Sequence, residues 1–148
     1  MAWTILRQLL KLCHDYEELR LTKRKEVNMK KYKGVYYLIK QNPRMYFWLA
    51  YIKLPKNHKW AKKKDYDDIP LDCHGGLTFM KTFTGKETKE ENWWGFTKGT
   101  WIGWDYGHVG DFIDYGFTFS KGHTFIDTEK KWEYEEVEEE VKEVIKQL

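Results

Sequence analysis

At 148 residues the chain has the length of one domain, enough to bury about two thirds of its unfolded surface without disulfides. Its two cysteines, Cys13 and Cys73, lie far apart and lack CxxC spacing, which argues against a zinc ribbon or disulfide scaffold and fits a reducing compartment. A net charge of +3 is too small to imply nucleic acid, and no run approaches the roughly 18–20 apolar residues of a membrane span. The apolar segment 1–12 carries Arg7 and Lys11 and lacks the small-residue cleavage site of a signal peptide. Aromatic content stands out: Trp, Tyr and Phe make up 18% of the chain. Such residues build cores, and they also stack on flat ligands such as bases.

Residues 2–21 read as an amphipathic helix, because Leu6, Leu9, Leu10, Cys13, Tyr16 and Leu21 recur at spacings of three and four. The stripe can pack on the domain, which is the favoured expectation, or pair with a second copy in a homo-oligomer. Thr22–Lys33 is crowded with lysine and arginine and reads as a solvated connector, since no aromatic residue interrupts the basic run before Tyr32. Val35–Lys40 and Met45–Leu54 are rich in β-branched and aromatic residues, with the turn residues Gln41-Asn-Pro-Arg44 between them. They predict a β-hairpin, ended by Pro55, which has no N–H to give a sheet.

Lys56–Ile69 reads as a loop whose lysines either cradle phosphate or are simply solvated, with Asp65, Asp67 and Asp68 capping local backbone. Pro70–Lys81 predicts a strand interrupted by the Asp72–Thr78 loop, and Trp93–Asp105 one or two short strands around Lys98 and Gly99. Residues 111–124 read as a loop at the rim of a site. The C-terminal segment predicts a helix capped by Asp127 or Thr128. Its apolar stripe is Tyr134, Val137, Val141, Val144, Ile145 and Leu148, opposite a solvated glutamate face. The fold expectation is therefore a single α+β domain over 1–148: a mostly antiparallel sheet, a packed C-terminal helix and an N-terminal helix as a possible appendage.

Two glycine-punctuated stretches carry the candidate chemistry, His74-Gly-Gly76 and Trp101-Ile-Gly-Trp-Asp105 with His108 and Asp111. Glycine allows positive φ and close approach of a ligand or another backbone. His74, Asp105, His108 and Asp111 admit four readings. Two histidines and two carboxylates can hold a divalent metal ion. His74 and His108 can serve as general acid and base on a phosphodiester. The aspartates, Gly75, Gly76, Thr78 and the histidines can recognise a small nucleotide-like ligand, with Trp101 offering a ring for stacking. Or the same groups can tie loops together through backbone N–H groups. Strand alternation puts Ile102 and Trp104 on one face and Trp101 and Gly103 on the other.

Tyr66-Asp-Asp68, His74-Gly-Gly-Leu-Thr-Phe79, Trp101-Ile-Gly-Trp-Asp105, His108, Gly110-Asp111 and the closing Val144-Ile-Lys-Gln-Leu148 together resemble a broad group of small phage and prophage proteins. The group shares a His-Gly-Gly motif, a Trp-x-Gly-Phe-Asp-x-x-His-x-Gly-Asp motif and a final helix ending Gln-Leu. This chain has Trp104 where the group has Phe, and the resemblance spans roughly residues 46–148. It implies a phage-type accessory protein of the bacterial host cytoplasm with a role in counter-defence, by analogy the capture of a nucleotide immune signal. The alternatives are a phosphodiesterase cleaving such a signal and a protein-binding inhibitor of a host defence protein.

Overall fold

In a computed structural model of the chain, residues 4–8, 11, 29–111 and 129–148 are described. The centre is a five-stranded antiparallel sheet of order β1-β2-β3-β5-β4, built from β1 (Lys30–Tyr32), β2 (Val35–Gln41), β3 (Trp48–Lys53), β4 (Phe79–Phe83) and β5 (Gly99–Asp105). The hairpin expected across Gln41–Arg44 is β2–β3, in register Ile39↔Ala50. Its turn is held by Asn42, whose side chain accepts the N–H groups of Arg44 and Met45. β1 departs from the solvated connector expected there. Lys33 and Gly34 both take positive φ, 46° and 80°, the conformation of a tight hairpin turn, so the chain folds back and pairs Tyr32 with Val35. Lysines suit this position because an edge strand faces water on one side.

The C-terminal helix, Tyr134–Ile145, lies on one sheet face. Val137, Val141, Val144 and Ile145 are buried among Val35, Tyr37, Ile39, Ala50, Ile52, Ile102 and Trp104. The stripe is as expected, but the start is not. The helix begins at Tyr134 with Glu133 as its N-cap, and Glu136 accepts the Glu133 N–H. Residues 129–133 are not helical, and within them Lys130 donates its N–H to the Gly110 carbonyl. The opposite sheet face is also covered: Leu38, Tyr51, Phe83, Phe96 and Trp101 form a second buried cluster.

Further departures concern the connections. The His74 turn does not interrupt a strand; β4 starts only at Phe79. The loop after Pro55 contains two short 3-10 turns, Lys59–Lys62 and Tyr66–Asp68, and the first plugs Trp60 into the core. His58 caps that turn by accepting the Trp60 N–H. Residues 4–8 and 11 form a short N-terminal helix and are all exposed. The rest of the helix expected over 2–21, most of the basic connector, the 112–124 loop and the Asp127–Thr128 cap lie outside the described residues. Among the described residues, no helix is long and apolar enough to cross a membrane.

The glutamate face is not wholly solvated. Glu138 accepts hydrogen bonds from Lys30 Nζ, at 3.1 Å to each oxygen, and from the Tyr37 hydroxyl at 2.7 Å, clamping β1 and β2 to the helix. Removing it strands a buried phenol. Glu138→Ala should lower stability in urea denaturation by about 1–3 kcal/mol. Adding Tyr37→Phe to that variant should recover part of the loss, because the unpaired hydroxyl goes with it.

Candidate functional site

The two glycine-rich turns meet. In the first, the Gly76 N–H donates to the Cys73 carbonyl at 3.0 Å; in the second, the Asp111 N–H donates to the His108 carbonyl at 3.0 Å. Gly75 occupies the third position of the first turn with φ of 68°, a conformation that favours glycine. A second reason for glycine is contact: a Cβ on Gly75 would stand 2.3 Å from His108 Nε2. The imidazole of one turn therefore rests on the backbone of the other, and the ring centroids of His74 and His108 are 5.9 Å apart.

Asp111 is the point of convergence. One oxygen accepts the His74 Nε2 hydrogen at 2.8 Å and the His108 N–H at 3.0 Å; the other accepts the Trp132 indole N–H at 2.9 Å. Burial alone would raise the pKa of this carboxyl, but the bonds from His74, Trp132 and the His108 backbone hold it below its ordinary value of 3.8. An ionised carboxylate only accepts, so His74 carries its hydrogen on Nε2. The His74 ring stacks on Tyr106, centroids 4.6 Å apart and planes 6° apart, and meets Trp132 edge-on at 5.0 Å. Its backbone N–H donates to Glu140 of the C-terminal helix at 2.8 Å, so this glutamate too faces the domain.

Asp105 plays a different part. It accepts the Thr78 hydroxyl and the Gly107 N–H, each at 3.0 Å, which ties the loop before β4 to the end of β5. Its Oδ1 is 3.3 Å from His108 Nε2, in a geometry that makes no hydrogen bond, and that buried nitrogen has no hydrogen-bond partner among the described residues. Among the described residues, no group of three or more His, Cys, Asp or Glu side chains is arranged to hold a metal ion. His74 Nε2 and both oxygens of Asp111 are already engaged in hydrogen bonds within the cluster.

Of the sequence-predicted residues, His74, Gly75, Gly76, Thr78, Asp105, His108 and Asp111 are gathered in this one region. Trp101 is not. It is fully buried on the other sheet face against Phe96, with its indole N–H bonded to the Thr97 carbonyl, and so belongs to the core rather than to a ligand platform. Cys73, beside His74, is half-buried, and its thiol is pushed up to about 12 by burial and by the nearby Glu140 and Asp72 carboxylates.

Two hollows open beside this cluster. The first, about 370 Å³, is walled by Tyr46, Phe47, Trp48, Tyr106, Lys131 and Trp132, with Gln41 and Glu133 completing it. The second, about 280 Å³, adjoins it and shares Gln41, Tyr46 and Trp48. Tyr106 and Trp132 link cluster and hollow, since each ring contacts His74 and also lines the first hollow. The walls of the hollows contain none of the residues predicted from sequence. Tyr46, Tyr106 and Trp132 were missed; the signal available was the aromatic residue placed directly after Asp105 and the isolated Trp132 ahead of the helix stripe.

Comparison with family models, with curated proteins and with solved structures finds no match.

Two measurements test this geometry. Gly75→Ala should cost about 2–4 kcal/mol, from the positive φ together with the clash against His108. Gly76→Ala, at φ of 81° but facing open space, should cost about 1–2 kcal/mol. The gap between the two variants should close in a His108→Ala background. Asp111→Asn should destabilise by roughly 3 kcal/mol at pH 7 through loss of a buried, paired charge. Because the folded carboxyl has a depressed pKa, its contribution is fully present above 3.8 and is lost as pH falls through the folded value. The difference between wild type and Asp111→Asn, followed by thermal unfolding, should therefore narrow below that pH.

Proposed function

We propose that this is a small phage-type accessory protein of the bacterial cytoplasm that binds and sequesters a small nucleotide-like ligand in the first hollow. The observation that carries the reading is the composition of that hollow. Tyr46, Trp48 and Trp132 supply faces and edges for a planar ring, the buried Tyr106 closes the hollow behind them, and Lys131 adds a charged side chain to the wall. Gln41 and Glu133 add an amide and a carboxylate for hydrogen bonds to a base edge or a ribose hydroxyl. A volume of about 370 Å³ falls in the range of small-ligand sites. The cluster around Asp111 holds Tyr106 and Trp132 in place, so two of the walls are rigid before any ligand arrives. Sequestration and counter-defence are supported by the resemblance to phage and prophage proteins, and by the closed hydrogen bonding of Asp111, which suits a scaffold.

A second reading, cleavage of the same ligand, is favoured by one feature. A carboxylate that fixes the tautomer of an imidazole is the arrangement used to orient a general base. The side chains of His74 and His108 remain 24% and 36% exposed, so a ligand reaching past Tyr106 could meet them.

The protein incubated with a panel of nucleotide second messengers should quench tryptophan fluorescence on binding and release the ligand intact when heated. Tyr46→Ala should weaken binding by roughly tenfold to a hundredfold, the value of one stacking contact. Release of an altered product that disappears in His74→Ala would establish cleavage in place of capture. Failure of every nucleotide to bind would overturn both readings.

A further inference from the structure

The net charge of +3 conceals a separation. Six glutamates lie in the C-terminal helix, Tyr134–Ile145, on one face of the sheet. The other face carries a row of lysines. Strand alternation sends Lys30 toward the helix, where Glu138 takes its ammonium, and its neighbour Lys31 to the opposite face. There Lys31 pairs across the ladder with Tyr36, and Lys53 and Lys81 stand on the two sides of Trp101. The Lys53 ammonium lies 5.8 Å from the centre of the Tyr36 ring, which joins the two sets. Lys31, Tyr36, Lys53, Trp101 and Lys81 thus form one row across all five strands, about 19 Å wide at the usual strand spacing.

Gly99 makes room for Lys53. It takes φ of 134°, and a Cβ there would stand 2.6 Å from Lys53 Cε. The lysine stem lies over that glycine, and the ammonium reaches the Thr97 hydroxyl at 3.3 Å. Lys31 and Lys81 are exposed, and their ammoniums lie 4.8 and 5.0 Å from the ring centres of Tyr36 and Phe83. All of these partners are neutral. Among the described residues, no carboxylate forms an ion pair with Lys31, Lys53 or Lys81. Their charge is uncompensated, unlike that of Lys30, and a phosphate outcompetes a surface ring or a hydroxyl for an ammonium. Tyr36 is 39% exposed and Trp101 is buried, so the row presents a single aromatic ring among three cations.

We propose that this row is a surface for single-stranded nucleic acid, with backbone phosphates on Lys31, Lys53 and Lys81 and a base against Tyr36. Lys53 ends β3 and Trp48, in the wall of the first hollow, begins it, so the row lies away from that hollow and does not rest on the nucleotide reading above. Uncompensated cations along a sheet face, with an aromatic ring between them, match a polyphosphate chain that carries unstacked bases. A duplex keeps its bases stacked and offers nothing to Tyr36. An anionic bilayer is held by apolar side chains that enter it as well as by lysines, and this row has one tyrosine for that purpose. Charge and stacking do not read base edges, so binding is tolerant of sequence.

The test is fluorescence anisotropy of the full chain with a labelled oligothymidylate of about 20 nucleotides, longer than the roughly 4–16 that one such surface takes. The single strand should bind more tightly than a duplex of the same length or phosphatidylserine vesicles. Three phosphate contacts give log affinity a slope of about −2 against log salt, and Lys31→Gln, Lys53→Gln and Lys81→Gln should each reduce that slope by about 0.7. Tyr36→Ala should weaken binding by roughly tenfold to a hundredfold and leave the slope unchanged. A merely structural defect would not divide the variants in this way. Lys31 and Lys81 are exposed, so the double variant Lys31→Gln/Lys81→Gln, with its slope reduced by about 1.4, decides the matter even if Lys53→Gln does not fold. The proposal is overturned by no binding of the single strand at about 50 mM salt, by stronger binding of duplex or vesicles, by an unchanged slope in the lysine variants, or by full binding of Tyr36→Ala.

Discussion

A single buried carboxylate holds the two glycine-rich turns and the entry to the C-terminal helix together. Asp111 takes hydrogen bonds from a side chain in the first turn, a backbone N–H in its own turn and an indole in the segment before the C-terminal helix. These groups lie 37, 3 and 21 positions away along the chain. A buried charge is tolerated only when its lone pairs are filled, so the carboxylate imposes a joint condition on all three segments. None can move without leaving the charge under-satisfied, and this is why two loops and a helix entry adopt one mutual arrangement.

The aromatic packing follows from that condition. Once His74 is pinned, Tyr106 stacks flat against it and Trp132 meets both rings. Glu140 reaches back from the helix to the His74 N–H, so the sheet, the turns and the helix brace the same imidazole. Trp132, with the buried Tyr106 behind it, forms part of the wall of the first hollow. The opposite wall comes from the β2–β3 turn, through Tyr46 and Phe47. The first hollow and the hydrogen-bonded cluster thus share Tyr106 and Trp132, so residues outside the hollow can govern its shape.

Much of this was readable from residue order. The hairpin and the final helix announce themselves by periods of two and of 3.6, and the glycines at 75, 76 and 110 mark the turns that bring His74 and His108 together. Other features were hidden for physical reasons. β5 is buried on both faces, so alternation could separate Trp101 from Trp104 but could not say which ring was available, and both proved to be core. β1 is three residues long and basic, stabilised by a turn and by Glu138 rather than by apolar pattern. The helix starts at Tyr134 with Glu133 as its cap, and the residues before it are tied to Gly110 by the Lys130 N–H, a contact between distant segments that no local capping signal encodes. Trp132 and Glu140 joined the site for the same reason.

The most direct test of this account is the state of the His74 ring, observed by nitrogen-15 NMR of the imidazoles in the unliganded protein at pH 8. The account predicts a single tautomer with the hydrogen on Nε2, slow to exchange with water and correlated through space with the Trp132 indole proton. A ring that averages between tautomers, or that carries its hydrogen on Nδ1, would mean that Asp111 does not organise the site.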